Sequence, residues 1–197
     1  MQWAEKFGIS GTGVDISTPL CEGANEKITK HGLSDRIELV NKPGSEFIPE
    51  RPGYDVATCI GATFIWDSSR SAIQAMKKVV RPSGKLAIGE VYWLKEGIPQ
   101  EYLDKSGADI AMFEHELLQI TMEEGYDIEY IVRASLDDWD RYNTGRWHNL
   151  IRWIHENPVH PDRQEIINHL HVQQEKYLRY EREYLGWAIY ILAQNTY

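Results

Sequence analysis

The first half of the chain alternates between short apolar runs and longer segments whose apolar residues lie at helical spacing. Between residues 68 and 80, the positions of Ala72, Ile73, Met76 and Val79 are typical of an amphipathic helix. The run YDVATCI is short, mostly apolar and bounded by glycines, which is typical of a buried strand. The pattern predicts, in order, strand 13–16, helix 19–31, strand 36–40, strand 54–60, helix 68–80 and strand 85–93.

The second half continues with predicted helices 114–124, 136–156 and 161–184 and predicted strands 126–134 and 187–193. A β-α-β-β-α-β order favours parallel strands with helices on their faces, and a late strand pair is typical of an antiparallel edge. The sequence therefore predicts an α/β fold with a Rossmann-like, doubly wound sheet, mostly parallel with an antiparallel C-terminal edge. The length of 197 residues favours a single domain.

Composition narrows the classes of partner. A formal net charge of -9 argues against nucleic acid, because binding to phosphates needs a basic surface. Apolar runs stay below the ~20 residues of a membrane span, and the N-terminus does not resemble a signal peptide, so we expect no membrane association. The two cysteines, Cys21 and Cys59, fit a reducing, cytoplasmic location. Cys59 lies in an apolar run, and we expect it to be buried and inert.

The stretch GTGVDIS holds the first candidate for ligand binding. Asp15 closes the predicted strand 13–16, and ligands of open α/β sheets bind at the carboxyl ends of the strands. A carboxylate there can accept hydrogen bonds from both hydroxyls of a ribose; alternatively, it caps the following helix, a role that Ser17 or Thr18 can also fill. Gly11 lies just before the strand and Gly13 opens it, so they predict a helix-to-strand turn and not a phosphate-binding loop, which follows a strand.

Four longer segments carry a family resemblance. FGISGTGVDIS, HGLSDRIELV, YDVATCIGATFIW and VVRPSGKLAIGEVYW resemble, in order and spacing, strands two to five of the class I S-adenosylmethionine-dependent methyltransferases. YEREYLGWAIYIL resembles a small bacterial subgroup of these enzymes. The resemblance implies the methyltransferase type of doubly wound sheet, S-adenosylmethionine as cofactor and methyl transfer to a small molecule. It also implies a cofactor-binding half at 1–95 and a C-terminal half with a helical insertion at 96–197.

One part of the family pattern has no counterpart in the sequence. In the family, a first strand with a glycine-rich cofactor loop precedes the helix that corresponds to residues 2–7, and this sequence begins at that helix. We therefore expect a longer protein or a truncated product, with a gap of ~10 Å, two strand spacings, in the sheet. The alternative function is a non-catalytic binding or dimerisation module whose exposed strand edges are capped by a partner, as in a homodimer.

The resemblance also assigns cofactor contacts. Gly61 would let the backbone approach the ligand closely. Asn41, after the third strand of the family pattern, could bond the adenine. The Ile60 carbonyl could accept from the cofactor ammonium. The expected cofactor-binding residues are Asp15, Ile16, Asn41, Ile60, Gly61 and Ala62.

The acceptor side is expected at Thr63, Trp66 and Trp93, with Glu90 and Tyr92 as catalytic candidates. Glu90 is the one acid in the apolar run LAIGEVYW, so it could act as a base or an orienting group, or pair with a neighbouring arginine. The aromatic residues could form a wall for a flat or cationic acceptor, or pack in the core. The reaction needs no metal, and we predict no metal site, since no acid or cysteine cluster completes a ligand set around the histidines.

Overall fold

The computed structural model describes residues 1–49, 53–106 and 111–196. Most predicted strands and helices are present, with boundaries shifted by a few residues. In chain order the structure has α1 (Gln2–Phe7), β1 (Gly11–Asp15), α2 (Thr18–Lys30), β2 (Ile37–Asn41), β3 (Tyr54–Ile60), α3 (Ser69–Met76), β4 (Val80–Trp93), α4 (Gln100–Ser106), α5 (Glu114–Glu123), β5 (Tyr126–Arg133), α6 (Leu136–Glu156), α7 (Arg163–Lys176), α8 (Arg182–Tyr184) and β6 (Leu185–Gln194), with short 3-10 helices at Gly44–Glu46 and Thr63–Trp66.

The strands form two sheets. β1 and β2 pair in parallel, and the second sheet has the order β3-β4-β6-β5. In this sheet β3 and β4 are parallel, while β6 runs antiparallel to both β4 and β5. The predicted α/β fold, mostly parallel with an antiparallel C-terminal part, is confirmed.

β1 and β3 lie at the facing edges of the two sheets. They do not pair through their backbones in the described part of the chain. A side-chain hydrogen bond of 2.8 Å between Thr12 Oγ1 and Tyr54 OH joins their amino-terminal ends instead. The expected gap of ~10 Å between these strands stays a prediction.

Apolar alternation along β4 and β6 places the main core on one face of the four-stranded sheet. Leu86, Ile88, Tyr190 and Leu192 are buried there beneath α3 and α5, which contribute Ile73, Met76 and Leu117. On the opposite face, Val56, Ile60, Tyr130 and Val132 stay 46–66% exposed. The four-stranded sheet is therefore packed on one side.

Helix starts follow the capping residues in the sequence. Ser68 Oγ accepts the Ser71 amide at 3.1 Å at the start of α3. Ser135 and Asp138 form a reciprocal capping box at the start of α6.

The predicted single helix 161–184 is wrong in its continuity. A π-helical turn at Tyr177–Glu181 separates α7 from α8. The turn directs both Tyr177 and Tyr180 into the interior, where they are buried.

Candidate functional site

The predicted site residues gather where parallel strands end. β1 ends at Asp15, β2 at Asn41 and β3 at Ile60, while Glu90 lies three residues before the end of β4. The carboxyl ends of parallel strands are the usual ligand-binding edge of such sheets.

Asp15 uses one of its two carboxylate oxygens in a local hydrogen bond. Its Oδ1 accepts the Ser17 amide at 2.7 Å, which fixes the turn into α2. Ser17 occupies the N-cap position but makes no capping bond through its own side chain. Asp15 Oδ2 takes part in none of the hydrogen bonds that the described residues form, and the side chain is exposed. One carboxylate oxygen is therefore available to a ligand. Ile16, the next residue, is also exposed.

Asn41 connects three elements. Its Oδ1 accepts the Thr18 hydroxyl at 2.8 Å, and its Nδ2 donates to the Asp15 carbonyl at 2.9 Å. The side chain thus ties the ends of β1 and β2 to the start of α2. One amide hydrogen and one lone pair remain for any ligand contact.

The turn after β3 is built around Gly61. Its φ of 66° lies in the left-handed region, and its amide donates to the Gly89 carbonyl at 2.7 Å. A Cβ added at this glycine would meet no heavy atom within 4 Å, so the space in front of it is open. Ile60 is exposed beside it, and Ala62 is half-buried. A ligand can therefore reach the backbone of this turn.

Glu90 has a threonine as its partner. Its Oε1 accepts the Thr63 hydroxyl at 2.5 Å and the Thr63 amide at 3.3 Å. Thr63 is buried, and Glu90 is half-buried. Burial first, and the charge of Glu90 second, raise the pKa of the nearby Cys59 thiol to about 11. The prediction that Cys59 is buried is confirmed.

The aromatic candidates lie deeper than the turn. Tyr92 and Trp93 are only 5% and 7% exposed, and Trp66 packs half-buried against the main core. The Tyr92 ring crosses Gly186, where an added Cβ would lie 2.3 Å from the ring. The Arg133 guanidinium covers that ring at 4.9 Å from its centre. Core packing, one of the two readings of these residues, describes their positions here.

Two features of this edge were missed from the sequence. Phe64, in the 3-10 helix Thr63–Trp66, is 73% exposed beside the open turn. Its signal was a large apolar residue four positions after a strand end. Glu114 accepts the Tyr190 hydroxyl at 2.8 Å and pairs with Arg133 at 3.0 Å. No local pattern marks this network, because Glu114 and Tyr190 lie 76 positions apart.

Residues 1–49, 53–106 and 111–196 contain neither a metal-binding cluster nor a membrane-spanning helix. Within these ranges, no group of three or more His, Cys, Asp or Glu side chains is placed to hold a metal ion. The same ranges contain no helix with the length and apolar character needed to cross a membrane. At the carboxyl ends of the strands, the groups accessible to a ligand include the Asp15 carboxylate and the turn that begins at Gly61.

Comparison with known proteins gives matches along nearly the whole chain. A family model described as a methyltransferase domain matches residues 1–84. The uncharacterized protein YjhP of Escherichia coli (strain K12) is 30% identical over 194 residues, which are 96% of this chain and 77% of that protein.

Solved structures extend the similarity to the fold. SAM-dependent methyltransferases from Geobacter sulfurreducens and Thiobacillus denitrificans, both in complex with S-adenosyl-L-homocysteine, are 30% and 28% identical to this chain. Their TM-scores are 0.88 and 0.87, and each alignment covers 98% of this chain and 79% of the other.

Proposed function

This chain belongs to the class I S-adenosylmethionine-dependent methyltransferases, and we propose that it transfers the cofactor's methyl group to a small-molecule acceptor. The proposal rests on two features, a carboxylate oxygen of Asp15 that is available to a ligand and an open turn at Gly61. Both lie at the carboxyl ends of parallel strands, where ligands of this sheet type bind. Two similar methyltransferases were crystallised with S-adenosyl-L-homocysteine.

The described residues fit the cofactor of the family, S-adenosylmethionine. Asp15 Oδ2 would accept hydrogen bonds from the ribose hydroxyls, and the exposed Ile16 would cover an apolar part of the nucleoside. The backbone of Ile60, Gly61 and Ala62 would line the amino-acid end, because the space before Gly61 is open. Asn41 would use its remaining amide capacity toward the adenine.

The main task of the protein in this reaction is to position the cofactor and the acceptor. When bound, S-adenosylmethionine supplies a methyl group on a positively charged sulfur, which a nucleophilic O, N or C atom of an acceptor can attack in line. The residues of this chain would hold the two reactants in alignment and exclude water, which are large contributions to catalysis. A nearby base would take a proton from the acceptor where the acceptor carries one.

The acceptor side is assigned to the residues that follow β3. Thr63 and Trp66 border the turn, and the exposed ring of Phe64 adds a contact that the sequence did not suggest. The Glu90 carboxylate is hydrogen-bonded to Thr63 of this turn. Contact of the buried Tyr92 and Trp93 with an acceptor stays a prediction.

Titration of the chain with S-adenosyl-L-homocysteine by calorimetry tests the proposal. We expect binding by the wild type and an affinity about 10- to 100-fold lower for Asp15→Ala, because a hydrogen bond to a charged group is lost. Asp35→Ala is the matched control; it removes the same charge from an exposed position near the start of β2 and should leave affinity unchanged. No binding by the wild type would favour the non-catalytic module instead.

A further inference from the structure

The Glu90 carboxylate is directed at the turn that the cofactor would contact. Glu90 lies on β4 opposite Ala188 of β6, near the end of the strand. Its Oε1 accepts two hydrogen bonds from Thr63, one from the hydroxyl and one from the amide. Both donors of a buried threonine are therefore used on a single charged oxygen.

The turn is held at two points as a result. Gly61 donates to the Gly89 carbonyl of β4, and Thr63 donates to the side chain of the next residue of β4, Glu90. Thr63 is the first residue of the 3-10 helix, whose leading amides have no partner within the helix. Hydrogen bonds to a carboxylate are shorter and stronger than those between neutral groups. Glu90 thus fixes where the 3-10 helix begins.

We propose that Glu90 is a positioning residue, which acts on the cofactor site through Thr63. Its Oε1 holds the residues 61–63 in the conformation that leaves the Gly61 backbone open. This inference rests on the proposed function, since it concerns the same cofactor turn. It selects one of the roles considered for this carboxylate, that of an orienting group.

The test compares Glu90→Gln and Thr63→Val with the wild type in affinity for S-adenosyl-L-homocysteine. Each variant should bind about 10-fold more weakly, since each weakens the same charge-assisted contact. The double variant should be no weaker than the worse single variant, because the two residues act as one unit. Thr63→Ser keeps the hydroxyl and should restore most of the affinity.

Matched controls separate positioning from general loss of stability. Glu124→Gln removes a partly buried carboxylate that accepts from Arg70 and Gln74 at the far end of α5. Thr121→Val removes a buried hydroxyl that donates to the Leu118 carbonyl. Both should lower the melting temperature and leave the affinity unchanged. Amide exchange at residues 61–66 should rise in the Glu90 and Thr63 variants alone.

Two outcomes would overturn the inference in different ways. Unchanged affinity and exchange in both test variants, with a wild type that binds, would remove the positioning role and leave the proposed function intact. A wild type that fails to bind would remove the proposed function and this inference with it.

Discussion

At the scale of single residues, Gly61 combines a backbone requirement with an open space. Its φ of 66° is a conformation that residues with a Cβ adopt at a cost of about 1–2 kcal/mol. The space before it is empty of protein atoms, so a side chain there would occupy the proposed cofactor cleft. The sequence reveals such a glycine because it follows an apolar run directly.

Gly61→Ala should therefore lower both stability and cofactor affinity. We expect a loss of about 1–2 kcal/mol in the free energy of unfolding and weaker binding of S-adenosyl-L-homocysteine by calorimetry. Gly145→Ala is the control, because Gly145 lies exposed inside α6 with ordinary helical φ and should gain about 0.5–1 kcal/mol. A Gly61 variant that behaves like the Gly145 variant would contradict the assignment.

The raised pKa of Cys59 predicts how the stability of the protein depends on pH. Burial and Glu90 raise the pKa of its thiol from the usual 9.0 to about 11. The unfolded chain therefore loses this proton before the folded chain does. The resulting stability is fully present below about pH 9 and is lost as the pH rises through about 11, a change of about 2–3 kcal/mol.

Denaturant unfolding between pH 8 and pH 11 measures this effect. The wild type should lose more stability over that range than Cys59→Ala, which has no thiol to titrate. Equal slopes for the wild type and the Cys59 variant would contradict the predicted pKa.

At the scale of elements, the π-turn between α7 and α8 depends on contacts with α6. The Tyr177 hydroxyl donates to Asp140 at 2.7 Å, and Arg182 binds both oxygens of the same carboxylate. The hydrogen bonds from Arg182, the main cause, and from the Tyr177 hydroxyl lower the pKa of Asp140. One carboxylate thus joins the start of α6 to both sides of the turn.

Tyr177→Phe should cost about 1 kcal/mol in the free energy of unfolding, because the ring stays packed while one hydrogen bond is lost. Tyr142→Phe is the matched control: its ring is 58% exposed on the same helix pair, so it should be nearly neutral. Urea unfolding of both variants decides the matter. Equal stability of the two would show that the Asp140 contact contributes nothing.

Elements marked by local signals could be predicted from the sequence, whereas features held by distant contacts could not. β3 was predicted with its observed bounds and α3 with an end four residues too late, because their apolar spacing and flanking glycines or caps are local signals. The π-turn was missed because Tyr177 and Asp140 lie 37 positions apart. Glu90 was singled out by its apolar surroundings, but its partner Thr63, 27 positions away, could not be identified without the pairing of β3 with β4.

At the scale of the whole molecule, the uncovered face of the four-stranded sheet bears on the expected homodimer. Its exposed residues include Val56, Ile60 and Val132. Exposed apolar residues on one sheet face promote association, and unpaired strand edges do the same. We therefore predict self-association, with the average molar mass rising above 22.8 kDa as the concentration increases.

Light scattering coupled to size exclusion checks this prediction. Val132→Lys places a charge on the face and should shift the population toward the monomer. Val159→Lys adds the same charge at a residue that is 94% exposed outside the sheet and should have no effect. A concentration-independent mass of 22.8 kDa for the wild type would contradict the prediction.

The proposed cofactor site joins two parts of the molecule whose hydrophobic cores differ in size. Within residues 1–41, the side chains of Ala4, Ile28 and Leu33 form a small hydrophobic core. The core on the four-stranded sheet contains many more buried residues. Trp3 and Phe7 of α1 stay exposed. Regions with few buried apolar contacts open at lower free energy than the rest of a protein.

Hydrogen exchange read by mass spectrometry should therefore show faster exchange in residues 1–41 than in β4 and β6. A ligand that binds Asp15 on one part and the Gly61 turn on the other stabilises both, by an amount that grows with its concentration. S-adenosyl-L-homocysteine should slow exchange in residues 1–41 and 61–66 together. Asp15→Ala should lose the protection of residues 1–41 first, and protection confined to residues 61–66 in the wild type would place the ligand on one part alone.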